Sequence, residues 1–302
     1  MSRFVLAIFG PTASGKSAVA EALAERIDAE VVSADAMQAY RGLPILTDQS
    51  DRPARLVGIW PLGHEGSVGE YQRLAHAAVD EILAAGRVPI VAGGTGLYLR
   101  AALAELDLPP PPPAGARARW ERLYEEEGAE RAHAALAASD PPAAAAVHPN
   151  DRRRVVRALE LAEAGVSLRP ARGRLWTEET RNPTLIVGLD VPAVILAARI
   201  EERARAMVAR GVVAEARAAL AGELSSTARK TIGLEEFATL PTDEAVAAVV
   251  RRTRRYAAYQ RKWLRRLPGA VSVSADRPPD ATADAILEVA RARQRLPARR
   301  AG

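Results

Sequence analysis

Gly10-Pro11-Thr12-Ala13-Ser14-Gly15-Lys16-Ser17 fits G-x-x-x-x-G-K-[ST] in full. It lies between an apolar run, Phe4 to Phe9, and a segment that reads as a helix, Ala18 to Arg26. That is the strand–loop–helix setting a phosphate loop requires. The glycines let the backbone curl around an anion. Successive N–H groups then point inward, and the helix N-terminus adds favourable potential. Lys16 is placed to neutralise phosphate oxygens and Ser17 to hold Mg²⁺. Many compounds present linked phosphates, so the loop alone does not choose among them.

Two further stretches carry possible chemistry. Asp35 follows a short strand, Glu30 to Ser33, and is expected near the phosphate loop at the carboxyl ends of the strands. There it could bind metal, accept a proton or cap a turn. Gly93-Gly94-Thr95-Gly96-Leu97-Tyr98 follows an apolar strand, Val88 to Ala92. Its glycines permit close backbone approach and Thr95 supplies a hydroxyl; a tight turn with no ligand is the alternative.

These loops need a sheet to hold them. Leu56 to Trp60 reads as a further strand. Val68 to Ala85 carries apolar residues at helical spacing and Gly86 ends it. Strands alternating with helices predict an α/β fold: a P-loop NTPase-like parallel sheet flanked by helices. The prolines Pro109 to Pro113 cannot continue a helix or join a central strand. Helices follow from about Arg117 to Ala137 and from Arg152 to Ala164, and Gly165 and Pro170 close the region. Residues 109–184 therefore read as a helical insertion domain in a core formed by 1–108 and 185–302. A strand at Leu185 to Leu189 resumes the core. Helices at Val194–Val208, Val213–Leu220 and Thr242–Leu267 come next, with a late strand around Val271 and Val273.

Composition narrows the class. Hydrophobic residues make up 48% of the 302 and charged residues 26%, as in ordinary globular proteins. No run of 18 apolar residues is present, so no membrane partner is expected. The first ten residues show no signal-peptide organisation, and a cytoplasmic, monomeric protein is expected. With no cysteine, disulfides, thiolate zinc sites and cysteine nucleophiles are excluded. Four scattered histidines argue against a histidine metal cluster. The formal charge is +5, and its distribution is uneven. Arg251 to Arg266 holds eight Arg or Lys residues and no Asp or Glu. Arg152, Arg153, Arg154 and Arg157 form a second cluster, and the tail from Arg291 to Arg300 a third. Such fields attract phosphate backbones; the plainer reading is solvated helix faces.

Taken together, the motifs resemble the tRNA dimethylallyltransferase (tRNA isopentenyltransferase) family. The matching stretches are Gly10–Ser17, Val32–Tyr40, Gly86–Leu99, His148–Glu160, Thr231–Phe237 and Arg255–Arg265, in family order. The resemblance implies Mg²⁺-dependent transfer of dimethylallyl from its diphosphate to N6 of adenosine 37 in tRNA. It implies that Asp35 is the general base and that Thr95 and Lys16 share the catalytic work. Gly10, Thr12, Ala13, Ser14, Gly15, Lys16, Ser17 and Lys230 are implied to hold the diphosphate, with Ser17 the metal residue. Lys230 stands where some members have arginine; it keeps the charge and loses the bidentate fork. The insertion is implied to grip the anticodon stem-loop. Asp35, Ala36, Met37, Gln38, Arg153, Arg154, Arg157, Arg254, Gln260, Arg261 and Arg265 are the implied tRNA contacts. Tyr256, Tyr259, Trp263 and Leu267 mark a second helix face, expected either in the core or against bases. The chain departs from the family pattern at Ala36 (usually serine), Leu43–Gly66, Leu234 and Ala258-Tyr259. A free-nucleotide isopentenyltransferase, a P-loop small-molecule kinase and a non-catalytic RNA binder are the competing readings.

Overall fold

The computed structural model describes residues 4–109, 113, 115–168 and 174–293. Pro110 to Pro112, Pro170 and the basic tail beyond residue 293 lie outside the described residues.

In chain order, the first elements are β1 (Val5–Phe9), α1 (Lys16–Arg26), β2 (Ala29–Ser33), α2 (Val68–Ala84), β3 (Val88–Gly93) and α3 (Gly96–Leu103). Three helices follow: α4 (Ala116–Ser139), α5 (Pro141–Ala146) and α6 (Arg152–Glu163). Then come β4 (Thr184–Asp190), α7 (Ala193–Ala209), α8 (Val212–Leu220), α9 (Leu234–Thr239), α10 (Thr242–Leu264), β5 (Val271–Ser274) and α11 (Pro279–Ala292).

The five strands form one sheet in the order β2-β3-β1-β4-β5, every pair parallel. Leu6 sits between Ile90 of β3 and Leu185 of β4. All five residues of β1 are buried, as a central strand covered on both faces must be. Because the strands are parallel, their carboxyl ends share one edge. The loops after β1, β2 and β3 therefore emerge side by side.

The expected strand at Leu56–Trp60 does not form. Leu56 has φ +64° and Gly58 φ +61°, which turn the chain out of an extended path. Two single bridges remain, Val32 to Arg55 and Tyr40 to Trp60.

The chain divides into two compact units, residues 106–174 and the remainder. The division falls earlier than the expected insertion of 109–184, and residues 175–184 pack with the sheet unit. Arg100, fully buried, explains part of this. Its guanidinium donates to the carbonyls of Leu175 and Glu179 and so ties the returning chain to α3. The helical unit has a small core of Ala132, Leu136, Ala143, Val147, Val155, Ala158 and Leu159. Asp140 caps α5 and Asp151 caps α6 through their carboxylates.

Candidate active site: a cavity between two glycine loops

The phosphate loop leaves the centre of the sheet, where neither neighbour lets β1 shift. Gly15 takes φ +84° at the start of α1, a conformation that strains any other residue. Ala13 nevertheless holds φ +62°, strain of the kind that collects at ligand sites. Lys16 Nζ turns back to the Pro11 carbonyl at 2.8 Å. Burial lowers its pKa to about 8, against an opposing pull from Asp35; Arg203 pushes it further down. Ser14 Oγ is buried and has no partner in the protein.

The second glycine loop is locked to the first by one side chain. Gln260 of α10 is 2% exposed. Its carbonyl oxygen accepts from the Thr12 N–H at 2.8 Å, and its amide donates to the Gly94 carbonyl at 2.8 Å. A Cβ on Gly94 would stand 2.3 Å from the Gln260 amide nitrogen, so any larger residue there would displace the brace. Gln260, implied by the resemblance to contact tRNA, is here a buried brace between the two loops.

Asp35 lies just past β2. Its Oδ1 accepts from the Met37 N–H at 2.9 Å, closing a short turn. The Tyr71 hydroxyl donates to the Ser33 carbonyl at 2.8 Å and steadies the strand end. Thr95, implied to share the catalytic work, does not line the cavity. Its hydroxyl accepts from the Ala36 N–H at 3.3 Å and shares a hydrogen bond with Tyr256. Thr95 therefore fixes the turn that carries Asp35. Burial, with Asp35 nearby, raises the Tyr256 pKa.

Between these walls lies a cavity of about 540 Å³. Thr12, Ala13, Gly15, Lys16 and Ser17 form one side and Asp35, Met37 and Gln38 another. Lys230 and Arg203 also border it. Its apolar surface comes from Leu46, Ile200, Ala204, Met207, Ile232 and Val249. One volume thus joins an anion cradle, a carboxylate and an apolar wall. Gln38 borders the cavity with its amide already engaged. It accepts from Ser33 Oγ at 2.7 Å and donates to the Thr47 and Asp48 carbonyls. Ala36, expected at the tRNA, is buried.

The basic residues divide in two. On α6, Arg153 and Arg154 are exposed, and Arg154 stands 3.5 Å from Asp151. Arg157 instead turns to the fully buried Glu160 at 3.0 Å, opposite Arg117 at 2.8 Å. Its guanidinium, half-buried, is engaged by that carboxylate. On α10, Arg251, Arg254 and Arg265 are exposed and Arg261 is half-buried; Arg254 pairs with Glu201 at 3.3 Å. Of the aromatic face, Leu267 is buried and Trp263 packs on Trp176, with ring centres 4.7 Å apart. Tyr256 borders the cavity, and Tyr259 is 55% exposed.

Sequence reasoning missed Arg203, Asp48 and Met207. The available signal was the 4-3 spacing of Ile200, Ala204 and Met207, which puts one apolar stripe along α7 with Arg203 at its edge.

Sheet order and loop define a P-loop protein of the α/β class. Within that class, the chain belongs to the IPP transferase family, whose pattern matches residues 38–267. An isopentenyl transferase pattern covers residues 3–55. The chain is 43% identical over 277 residues to a tRNA dimethylallyltransferase of Salinispora arenicola, covering 87% of this chain and 80% of that protein. It is 41% identical to one of Anaeromyxobacter dehalogenans, covering 93% and 98%. The full-length tRNA isopentenylpyrophosphate transferase of Bacillus halodurans superposes with a TM-score of 0.69 at 30% identity, covering 96% of each chain. A eukaryotic dimethylallyltransferase shares the fold, with a TM-score of 0.78 at 23% identity.

Proposed function

We propose that this protein transfers the dimethylallyl group from dimethylallyl diphosphate to N6 of adenosine 37 in tRNA. The observation that carries the reading is the shared cavity, with the phosphate loop, Asp35 and an apolar wall around one volume. The family membership and the tRNA dimethylallyltransferase relatives support it.

The donor diphosphate rests on the loop amides and Lys16, with Lys230 at the rim. Its isoprenyl group lies against the apolar wall. The acceptor adenine leaves the anticodon stack and enters from the Asp35 side. As the C1–O bond of the donor breaks, a bond forms between C1 and N6. Asp35 takes the N6 proton, and diphosphate leaves with the bonding electrons. Lys16 and the loop amides stabilise that developing charge more than they stabilise the bound donor. Thr95 and Tyr256 hold the Asp35 turn in place.

Mg²⁺ fits the donors present. Ser17 borders the cavity beside a loop whose Ser14 hydroxyl is unsatisfied. No group of three or more acidic or histidine side chains placed to hold a metal ion occurs among the described residues, which suits an ion held mainly by phosphate and water. Ser17 would hold it, and the ion would neutralise charge on the leaving diphosphate.

Arg153, Arg154, Arg251, Arg254, Arg261 and Arg265 are the proposed phosphate-backbone contacts, and Tyr259 a stacking surface. The helical unit is the proposed grip on the anticodon stem-loop. One chain supplies the whole cavity, which supports a monomer. No helix among the described residues is long and apolar enough to cross a membrane. A cytoplasmic site of action follows from the proposed tRNA substrate.

The test is incubation with unmodified tRNA, labelled dimethylallyl diphosphate and Mg²⁺, followed by nucleoside mass analysis. Label at N6 of adenosine is expected. Transfer to free AMP in place of tRNA, or ATP consumption with phosphorylation of a small acceptor, would overturn the reading.

A further inference from the structure

The end of the segment Leu43–Gly66, where the chain departs from the family pattern, lies against residues 223–227. The Ser225 N–H donates to the Leu62 carbonyl at 2.8 Å. A Cβ on Gly63 would stand 3.0 Å from the Glu223 carboxyl carbon. Glu65 makes the most bonds here. Its carboxylate accepts from the Ser226 N–H, from Ser226 Oγ at 3.2 Å and from Thr227 Oγ1 at 3.4 Å. All three donors are neutral. The carboxylate therefore holds a stretch of chain rather than balancing a cation, although it is exposed.

That stretch leads to the cavity. Ser225 is 4% exposed, and its Oγ accepts from the Ala228 N–H at 3.0 Å. A single 3₁₀ turn follows, Ala228–Lys230. Thr231 closes it by donating from Oγ1 to the Ala228 carbonyl at 2.8 Å. The same hydroxyl lies 3.2 Å from Met37 Sδ, beside Asp35. Lys230, the last residue of the turn, borders the cavity. Its side chain makes placement of the turn matter. An arginine presents a preformed planar fork, whereas a lysine carries a point charge on a flexible stem. Where that charge stands depends on where the backbone beneath it is fixed.

We infer that Glu65 is a positioning residue, whose carboxylate anchors the turn that carries Lys230 and so fixes one rim of the diphosphate site. Two departures from the family pattern then belong together. The lysine at position 230 is served by an anchor in the altered segment.

This inference rests on the diphosphate reading of the cavity, so its test avoids turnover. Inorganic pyrophosphate with Mg²⁺ is titrated calorimetrically into wild type, Glu65→Ala, Glu65→Gln, Lys230→Met, Glu65→Ala/Lys230→Met and Glu65→Ala/Lys230→Arg. Lys230→Met should weaken binding roughly 10- to 100-fold and Glu65→Ala roughly 3- to 10-fold. Glu65→Gln keeps one acceptor oxygen and should fall between wild type and Glu65→Ala. Once Lys230 is gone, Glu65→Ala should cost nothing more. Lys230→Arg should restore most of the affinity in the Glu65→Ala background, because the fork tolerates a looser backbone. A general loss of stability would act equally with and without Lys230. The inference is therefore overturned if Glu65→Ala weakens binding by the same factor in both backgrounds. It is also overturned if Glu65→Ala costs less than about twofold, if arginine gives no rescue, or if Lys230→Met binds like wild type. Wild type that binds no pyrophosphate overturns it together with the diphosphate reading. The expected pattern in a protein that never prenylates tRNA would break the proposed reaction and leave the role of Glu65 standing.

Discussion

The sheet unit and the helical unit treat their polar groups differently. Around the cavity, Ser14 Oγ and Arg203 Nε are buried without partners, and Lys16 Nζ is held by one backbone carbonyl. In the helical unit, Glu160 is enclosed by Arg117 and Arg157. Glu163 is taken by Arg119 and the Trp120 ring N–H, and Arg152 pairs with Glu125. Among its described residues, the buried oxygen without a partner is Asp140 Oδ2, which belongs to a helix cap. Paired charges hold a small unit together where its core is mostly alanine and valine. Unpaired donors mark the place that a substrate completes.

Four variants test this contrast, the first two most sharply. Asp35→Ala should lower transfer by roughly 10²- to 10⁴-fold. Pyrophosphate affinity should stay within a few-fold, measured by single-turnover prenylation beside calorimetry. Equal loss of both would mean that Asp35 shapes the phosphate loop. Arg117→Leu takes from the buried Glu160 carboxylate one of its two partners and should destabilise the helical unit by about 3 kcal/mol. Limited proteolysis between residues 115 and 168 should accelerate, and the tRNA KM should rise about tenfold or more. Unchanged pyrophosphate binding in this variant would show that the two units carry separate tasks.

Smaller effects follow. Arg153→Ala with Arg154→Ala should weaken tRNA binding about tenfold near 0.1 M salt and reduce the log–log salt slope by about 2. A slope that does not move would make these two residues a solvated face. The last test concerns pH. Lys16 carries its charge below about 8 and loses it above. The diphosphate prefers the charged form, so donor affinity should be flat up to about pH 7, begin to fall as pH nears 8 and be several-fold weaker by about pH 9. Lys16→Arg, charged throughout, should remove the fall.

Much of this was readable from residues alone. The apolar runs of β1, β3 and β4 and the phosphate loop named the fold class, since each pattern is local. Asp35 could be placed because parallel strands bring their ends to one edge. Gln260 could not. Among arginines it looks like a surface residue, and only the docking of α10 against both loops reveals its burial. Arg157 misled for a related reason: its partner Glu160 lies three residues on, and nothing local distinguishes an inward turn from an exposed one. Leu56–Trp60 has strand composition, but positive φ at Leu56 and Gly58 is a property of the folded path. Arg203 required the third dimension altogether, since Thr12, whose hydroxyl accepts from it, is 191 residues away.

That the Thr12 N–H is held by an amide 248 residues later has a consequence for how the protein is made. The N-terminal loop leaves the ribosome long before the helix that finishes it. At about 5–20 residues per second, the interval is on the order of tens of seconds. Throughout that interval the loop lacks its brace, and until residue 190 it also lacks one flanking strand, β4. A nascent chain stopped short of residue 260 would carry the complete signature motif without a finished anion cradle.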